Sequence, residues 1–464
     1  MTAGALLAQK GLSVAVFEKQ PRPGGYCASF SRKGYTFDSC IDAVSGWGED
    51  GWLRRILGRI GVLDRVEMIR LDPLRVDLFG DERVEIPADM RELTELLCGI
   101  SPGEKDGILG LIRAMEDIYS KAMATRPELL YGEERAGKRA SALGKYKVLS
   151  YARMLDDFVK DEKVRAVMCD RCAFMGLPPS KVSAVSTSVM FMTYTVGGGY
   201  RVKGGAQNLA DALADGFKMH GGELFQGIPV ESISASGGRA NGVMAGGNRV
   251  GARAVISAAD ASETYRMAGL GGAVQDAKPS VSFLIVYLGL GKELKIPDSM
   301  GCYPGYDIEK TFSDISSDIA SPNASLEIIN YSGVSPGMAP HGCSSIMLMS
   351  KAAYKYGDGW NNCKHKEMDR LIRLAGRVLP GLEQDISFAE AATPMTLKRY
   401  TGNSGGAAFG WEQSVVNRRT AVSSPVSGLF HAGHWTYPGG GIESVAASGM
   451  IAAEEVLNYL EGAH

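Results

Sequence analysis

The stretch 1–30, MTAGALLAQKGLSVAVFEKQPRPGGYCASF, decides the fold. Read backwards from Glu18, SVAVFEK is an apolar strand ending on an acid, and TAGALLAQKG before it is a small-residue helix closed by a glycine. A helix followed by a strand with a terminal carboxylate is the second half of a dinucleotide-binding βαβ unit, in which that carboxylate takes the ribose hydroxyls. The first strand and G-x-G-x-x-G turn of such a unit would stand immediately ahead of this stretch, and the sequence as given does not carry them. In a doubly wound sheet the first strand is central, so leaving it out exposes two facing edges of unpaired backbone. Several ladder bonds of ~1 kcal/mol each weigh heavily against a total stability of ~5–15 kcal/mol. The expectation is a truncated start, with roughly fifteen to twenty further residues, one strand and its turn, in the parent chain.

Outward from that stretch, 464 residues suffice for a large core and two or three domains. Apolar residues make up 45% and charged residues 22%, an ordinary globular balance. Glycine stands apart: 59 residues, about 13% against a usual ~7%. Much of it clusters in VGGGY, KGGAQN, SGGAAFG and YPGGGIES, where tight turns or close backbone approach to a ligand are expected. A net charge of −2 without basic runs argues against nucleic-acid binding. The run SFLIVYLGLG is about half the ~20 residues a membrane span needs, and the N-terminus lacks the pattern of a secretory signal. A cytoplasmic location is the default. Eight cysteines are scattered, with one C-x-x-C at Cys169 and Cys172 inside a helical pattern, read as buried thiols. The six histidines fall at no ligand spacing, so no metal is expected.

The organisation reads as one domain interrupted twice by a second. Residues 1–80 form the first part of a dinucleotide-binding domain, 81–196 a helical part of an inserted domain, 197–265 the return to the first domain, 266–419 the second part of the insert, and 420–464 the closing part. LRVDLFGDERVEIP alternates around a Gly-Asp turn as a hairpin, and PVESISAS, GRANGVMAGG and NRVGARAVISAAD suit a small meander. The expected class is α/β, a Rossmann-like binding domain without its first strand carrying an inserted α+β substrate domain.

At the end of its strand Glu18 suits the ribose hydroxyls of an adenosine, while Arg22 can neutralise a pyrophosphate that Gly24 and Gly25 let the backbone approach. LFHAG is a buried strand ending on Gly433, and PGGGIESVAASGMIAAEEVL is a glycine loop running into a helix. Such a helix start offers N–H donors and a positive dipole end to an electron-rich ligand.

EKQPRPGGYCASF, GYTFD, GGGYRVKGG, PVESI, AVISAAD and AGHWTYPGGGIESV occur in order over the whole chain. Together they resemble the phytoene desaturase, carotenoid isomerase and retinol saturase group of FAD-dependent oxidoreductases. The resemblance implies FAD, with Glu18 on the adenosine ribose, Arg22, Gly24 and Gly25 near the pyrophosphate, and Val230 giving backbone contacts to adenine. It implies Gly433, the glycines including Gly440 and Gly441, and Ile442 to Val445 along the ribityl chain and flavin ring. Two departures stand out. His434 replaces the family's commoner acid, and Y-R-V-K-G-G sets Arg201 and Lys203 where the family approaches the flavin; these charges either face solvent or mark a less apolar substrate. The implied substrate is an apolar isoprenoid or polyene, desaturated, saturated or isomerised at C=C bonds. Tyr194, Tyr200 and Trp411 are candidate wall residues, and no catalytic acid or base is named. An apolar substrate would make peripheral membrane contact plausible, and the oligomeric state is open. The alternatives are a flavin amine oxidase-like enzyme or an FAD-free, non-enzymatic member.

Overall fold

The computed structural model describes residues 1–124, 142–271, 277–318, 321–417 and 419–462. The part of the expected helical block at 125–141 lies outside them.

The opening stretch folds as read. Thr2–Gln9 is a helix whose small side chains are buried against helices Gln207–Met219 and Ile442–Leu460. Ala15–Glu18 follows as a strand and pairs in parallel with Glu223–Gln226. A second parallel pair, Val255–Ser257 with Leu429–His431, completes the strands of this domain's main layer. The two pairs are not hydrogen-bonded to one another, and a common apolar core of the three helices and these strands holds them. The expected meander is present as Val230–Ser236, Arg239–Ala245 and Asn248–Gly251, antiparallel throughout.

The second domain is built on a seven-stranded sheet in the order Ile386–Ala392, Ser282–Leu290, Ser344–Ala352, Leu326–Asn330, Ser299–Tyr303, Arg75–Phe79, Glu82–Ile86. Neighbours are antiparallel except Ser299–Tyr303 with Arg75–Phe79. The hairpin 75–86 therefore belongs to this sheet as a unit, and the expected boundary at 80 falls inside it. Its physical tie is the parallel pairing of Val76 to Phe79 with Met300 to Tyr303, a partner more than two hundred residues away. One face of the sheet packs on helix Trp360–Val378. The other turns toward Tyr35, Phe37 and the first domain. Helices including Met90–Ile100, Lys105–Ala124 and Ala184–Val196 form a separate apolar core beside the sheet, in which Cys169 and Cys172 are buried.

Candidate functional site

A cavity of about 1640 Å³ runs between the two domains, larger than the ~300–1,000 Å³ typical of one small ligand. Its wall includes Glu18, Gly24, Gly25 and Val230 together with Gly433, His434, Gly440, Gly441, Ile442 and Val445. Elements far apart in sequence thus bring all but one of the expected residues to one hollow. The exception is Arg22, which pairs with Asp211 at 2.7 Å, both side chains substantially exposed, and lies outside the cavity wall.

Local chemistry explains the positions. Glu18 ends its strand, and its Oε1 accepts the Gln20 N–H at 2.8 Å, which folds the chain back at the strand end. Gly441 caps helix Ile442–Leu460 at φ 106°, a conformation costly for any residue with a Cβ. The first-turn N–H groups of an α-helix have no partner inside the helix. Ile442, Glu443, Ser444 and Val445 bring this turn to the cavity wall. Free N–H groups and the positive dipole end there suit an electron-rich ring edge or an anion. The Glu443 carboxylate accepts from Ser45 Oγ at 3.0 Å and from Trp52 N–H at 3.2 Å. Burial raises its affinity for a proton, and those two bonds oppose the shift. His434 reaches the cavity, and burial pushes its imidazolium down to about 4, so the ring is neutral near pH 7.

The cavity wall also carries large apolar side chains, Phe174, Met190, Phe283, Met349 and Phe409, the last beside Gly440. Tyr194 lines it too, whereas Trp411 is packed edge-on against Trp435, and neither Trp411 nor Tyr200 is part of the wall. Arg201 corrects an expectation: it neither faces solvent nor reaches the cavity. Its guanidinium is buried and donates to the Asp42 and Asp298 carbonyls, the Asp42 carboxylate and the Asn330 carbonyl, tying the two domains together. Lys203 pairs with Glu67 at the surface. One wall residue went unread in the sequence: Glu327, a buried carboxylate among the apolar side chains.

The hollow suits FAD on two counts. A carboxylate at a strand end and a glycine-capped helix start line the same cavity, and its volume exceeds that of a site for one small ligand. The fold and the cavity are those of an α/β protein with a Rossmann-like layer and a large hollow able to take a dinucleotide. The family model described as flavin containing amine oxidoreductase matches residues 1–457, and the chain belongs to that family. It is an FAD-dependent oxidoreductase.

Among curated relatives, the chain is similar to a chloroplastic prolycopene isomerase of Daucus carota, 24% identical over 489 residues, covering 98% of this chain and 78% of that one. It is also similar to a zeta-carotene-forming phytoene desaturase of Myxococcus xanthus, 26% identical over 489 residues, covering 99% and 92%. Among solved structures, an oxidoreductase from Methanosarcina mazei superposes with a TM-score of 0.67 at 17% identity, covering 98% of this chain and 97% of that one. A putrescine oxidase bound to putrescine superposes at 0.64 and 16%, covering 99% and 96%. At those identities the solved structures speak for the fold alone.

Proposed function

We propose that this protein changes the C=C bonds of an apolar isoprenoid or polyene, by desaturation, saturation or isomerisation, in a reaction supported by FAD. The observation that carries the reading is the set of large apolar side chains, Phe174, Met190, Phe283, Met349 and Phe409, that line the same cavity as the glycine-capped helix start. Bound FAD supplies reversible hydride and electron transfer. The chain's own part is to hold the adenosine end at Glu18 and Val230 and to present first-turn N–H groups of helix Ile442–Leu460 to the ring. The apolar side chains exclude water from an extended hydrocarbon laid beside them. His434 and Glu443 help shape the cavity wall, and no proton transfer is assigned to either.

The test is the FAD-loaded protein incubated with phytoene, with a cis-lycopene and, separately, with putrescine, the products being separated by chromatography and the flavin absorbance followed. A new polyene chromophore, a lost double bond or a changed isomer composition supports the reading. Flavin bleaching by putrescine with both polyenes untouched overturns it in favour of amine oxidation.

A further inference from the structure

The hairpin that follows the Gly24–Gly25 turn carries two cysteines that the function proposed above leaves unused. Strands Ser29–Arg32 and Tyr35–Asp38 pair antiparallel, with Ser31 opposite Thr36 and Ser29 opposite Asp38. In both pairs the side chains touch, Ser31 Oγ to Thr36 Oγ1 at 2.9 Å and Ser29 Oγ to Asp38 Oδ1 at 2.5 Å, so they form one row on one face. The register runs a step past the strands, where the Ser39 N–H donates to the Ala28 carbonyl at 3.0 Å. The next facing positions in the row are Cys27, which closes the short turn Gly25–Cys27, and Cys40. Ser39 Oγ also donates to the Tyr26 carbonyl at 2.7 Å, so the residues on both sides of Cys27 are tied to the neighbour of Cys40. Facing residues between ladder bonds have Cα atoms about 4.5 Å apart, within the roughly 4.4–6.8 Å that a disulfide spans. Both thiols are free.

The pair also faces the cofactor hollow. Tyr26, Cys27 and Cys40 line the cavity that Gly433, Gly440 and Gly441 line. The Tyr26 ring lies 6.0 Å from that of His434, which sets this turn against the loop between Gly433 and Gly440. We propose that Cys27 and Cys40 are a thiol–disulfide pair that exchanges two electrons with the bound flavin. In the oxidising direction two S–H bonds break, one S–S bond forms, and two electrons with two protons pass to FAD, which is thereby reduced. The reverse step restores both thiols and oxidised FAD. The enzyme thus holds a second two-electron centre beside its cofactor.

The surroundings decide what the pair reacts with. Burial pushes the Cys27 thiol up to about 12, helped by Cys40 and Asp38, and pushes Cys40 up to about 12 as well, against the bond from Ser39. The thiolate is the attacking form, so two protonated thiols react slowly with small oxidants from solvent. An acceptor held in the same cavity has the advantage of proximity that a dissolved reagent lacks. Asp38, next in the row, is the carboxylate placed to take a thiol proton. Burial raises its own affinity for a proton, and Ser29 Oγ and the Ala206 N–H hold its Oδ1 in place.

The inference needs bound FAD and is indifferent to the substrate, so it and the polyene reading fail separately. The FAD-loaded protein is incubated with diamide until its thiol content is constant, desalted under argon and titrated with dithionite while the flavin absorbance is followed. Disulfides are mapped by mass spectrometry of alkylated, unreduced peptides. The expected result is a Cys27–Cys40 link and about four electrons taken up per flavin, against about two in Cys27→Ser and in Cys40→Ser. Should a serine variant lose FAD or fail to fold, the unaltered protein decides: about two electrons after dithiothreitol treatment and desalting, about four after diamide. A count of about two with the link intact overturns exchange with the flavin. A count of about four in the serine variants gives the capacity to other cysteines and overturns the pair, as does the absence of a Cys27–Cys40 link after diamide.

Discussion

His431 is a buried side chain in an unaccommodating environment. It is 1% exposed, neither ring nitrogen has a hydrogen-bond partner, and its nearest ring is Tyr265, edge-on at 5.1 Å. Burial pushes its imidazolium down to about 4 from an ordinary 6.5. The unfolded chain therefore binds the proton first as pH falls, so this residue withdraws stability between about pH 6.5 and pH 4, reaching on the order of 3 kcal/mol at the acid end. His431→Leu should narrow the loss of urea-unfolding midpoint between pH 7 and pH 4.5; parallel losses in the two proteins would show that His431 is not the group that titrates. Residues of this kind were the hardest to read from sequence. Arg75 and Asp77 alternate with Val76 and Leu78 as the wet face of a half-exposed strand would, yet both are buried. Their partners, Asp170 and Glu327, lie about a hundred and two hundred and fifty positions away, and no local spacing announces such a pairing. Arg201 was unreadable for the same reason.

At the level of elements the sequence spoke more clearly, because period and punctuation are local. The helix expected from TAGALLAQKG is Thr2–Gln9, the strand expected from SVAVFEK is Ala15–Glu18, and the hairpin around Gly80 and Asp81 is Arg75–Phe79 with Glu82–Ile86. All the expected cofactor-site residues but Arg22 reach the cavity and were legible on the same terms, since a glycine loop ahead of a helix and an acid at a strand end are signals of backbone geometry. Arg22 was not: two prolines and two glycines fix the local chain, but Asp211 on another element claims the side chain. Helix Ile442–Leu460 yields a prediction at this scale. Gly441 holds φ 106° at its start, and Gly441→Val would impose ~1–2 kcal/mol of strain or shift the first turn. A rise in the FAD dissociation constant of roughly five- to thirtyfold, with far-ultraviolet circular dichroism unchanged, is the expected result. Unaltered flavin affinity in a folded variant would mean that this helix start is not part of the cofactor site.

Across the whole molecule, the binding domain has a main layer of two separate parallel pairs. Ala15–Glu18 and Val255–Ser257 each have a strand partner on one side only among the described residues, and both segments line the same cavity with Met1. The order of seven strands in the other sheet, crossing from Tyr303 back to Phe79, could not be read from local pattern, whereas the helix Thr2–Gln9 and strand Ala15–Glu18 could, because a βαβ unit has a fixed succession of parts. Backbone groups on the free edges are satisfied only by water or by another strand. The amine of Met1 is buried, and burial lowers its affinity for a proton, so an added segment would enter the hollow directly rather than start from the surface. Fusing an apolar strand of about five residues and a glycine-rich turn ahead of Met1 is therefore expected to raise the thermal midpoint by several degrees, from ladder bonds of ~1 kcal/mol each. It should also tighten FAD binding, because the added turn carries backbone N–H groups toward the pyrophosphate. A Gly/Ser extension of equal length is the control, with flavin retention on a desalting column and a melting curve as readouts. If the apolar and Gly/Ser forms melt together and retain equal flavin, the two edges do not accept a strand, and the domain is stabilised by its helices alone.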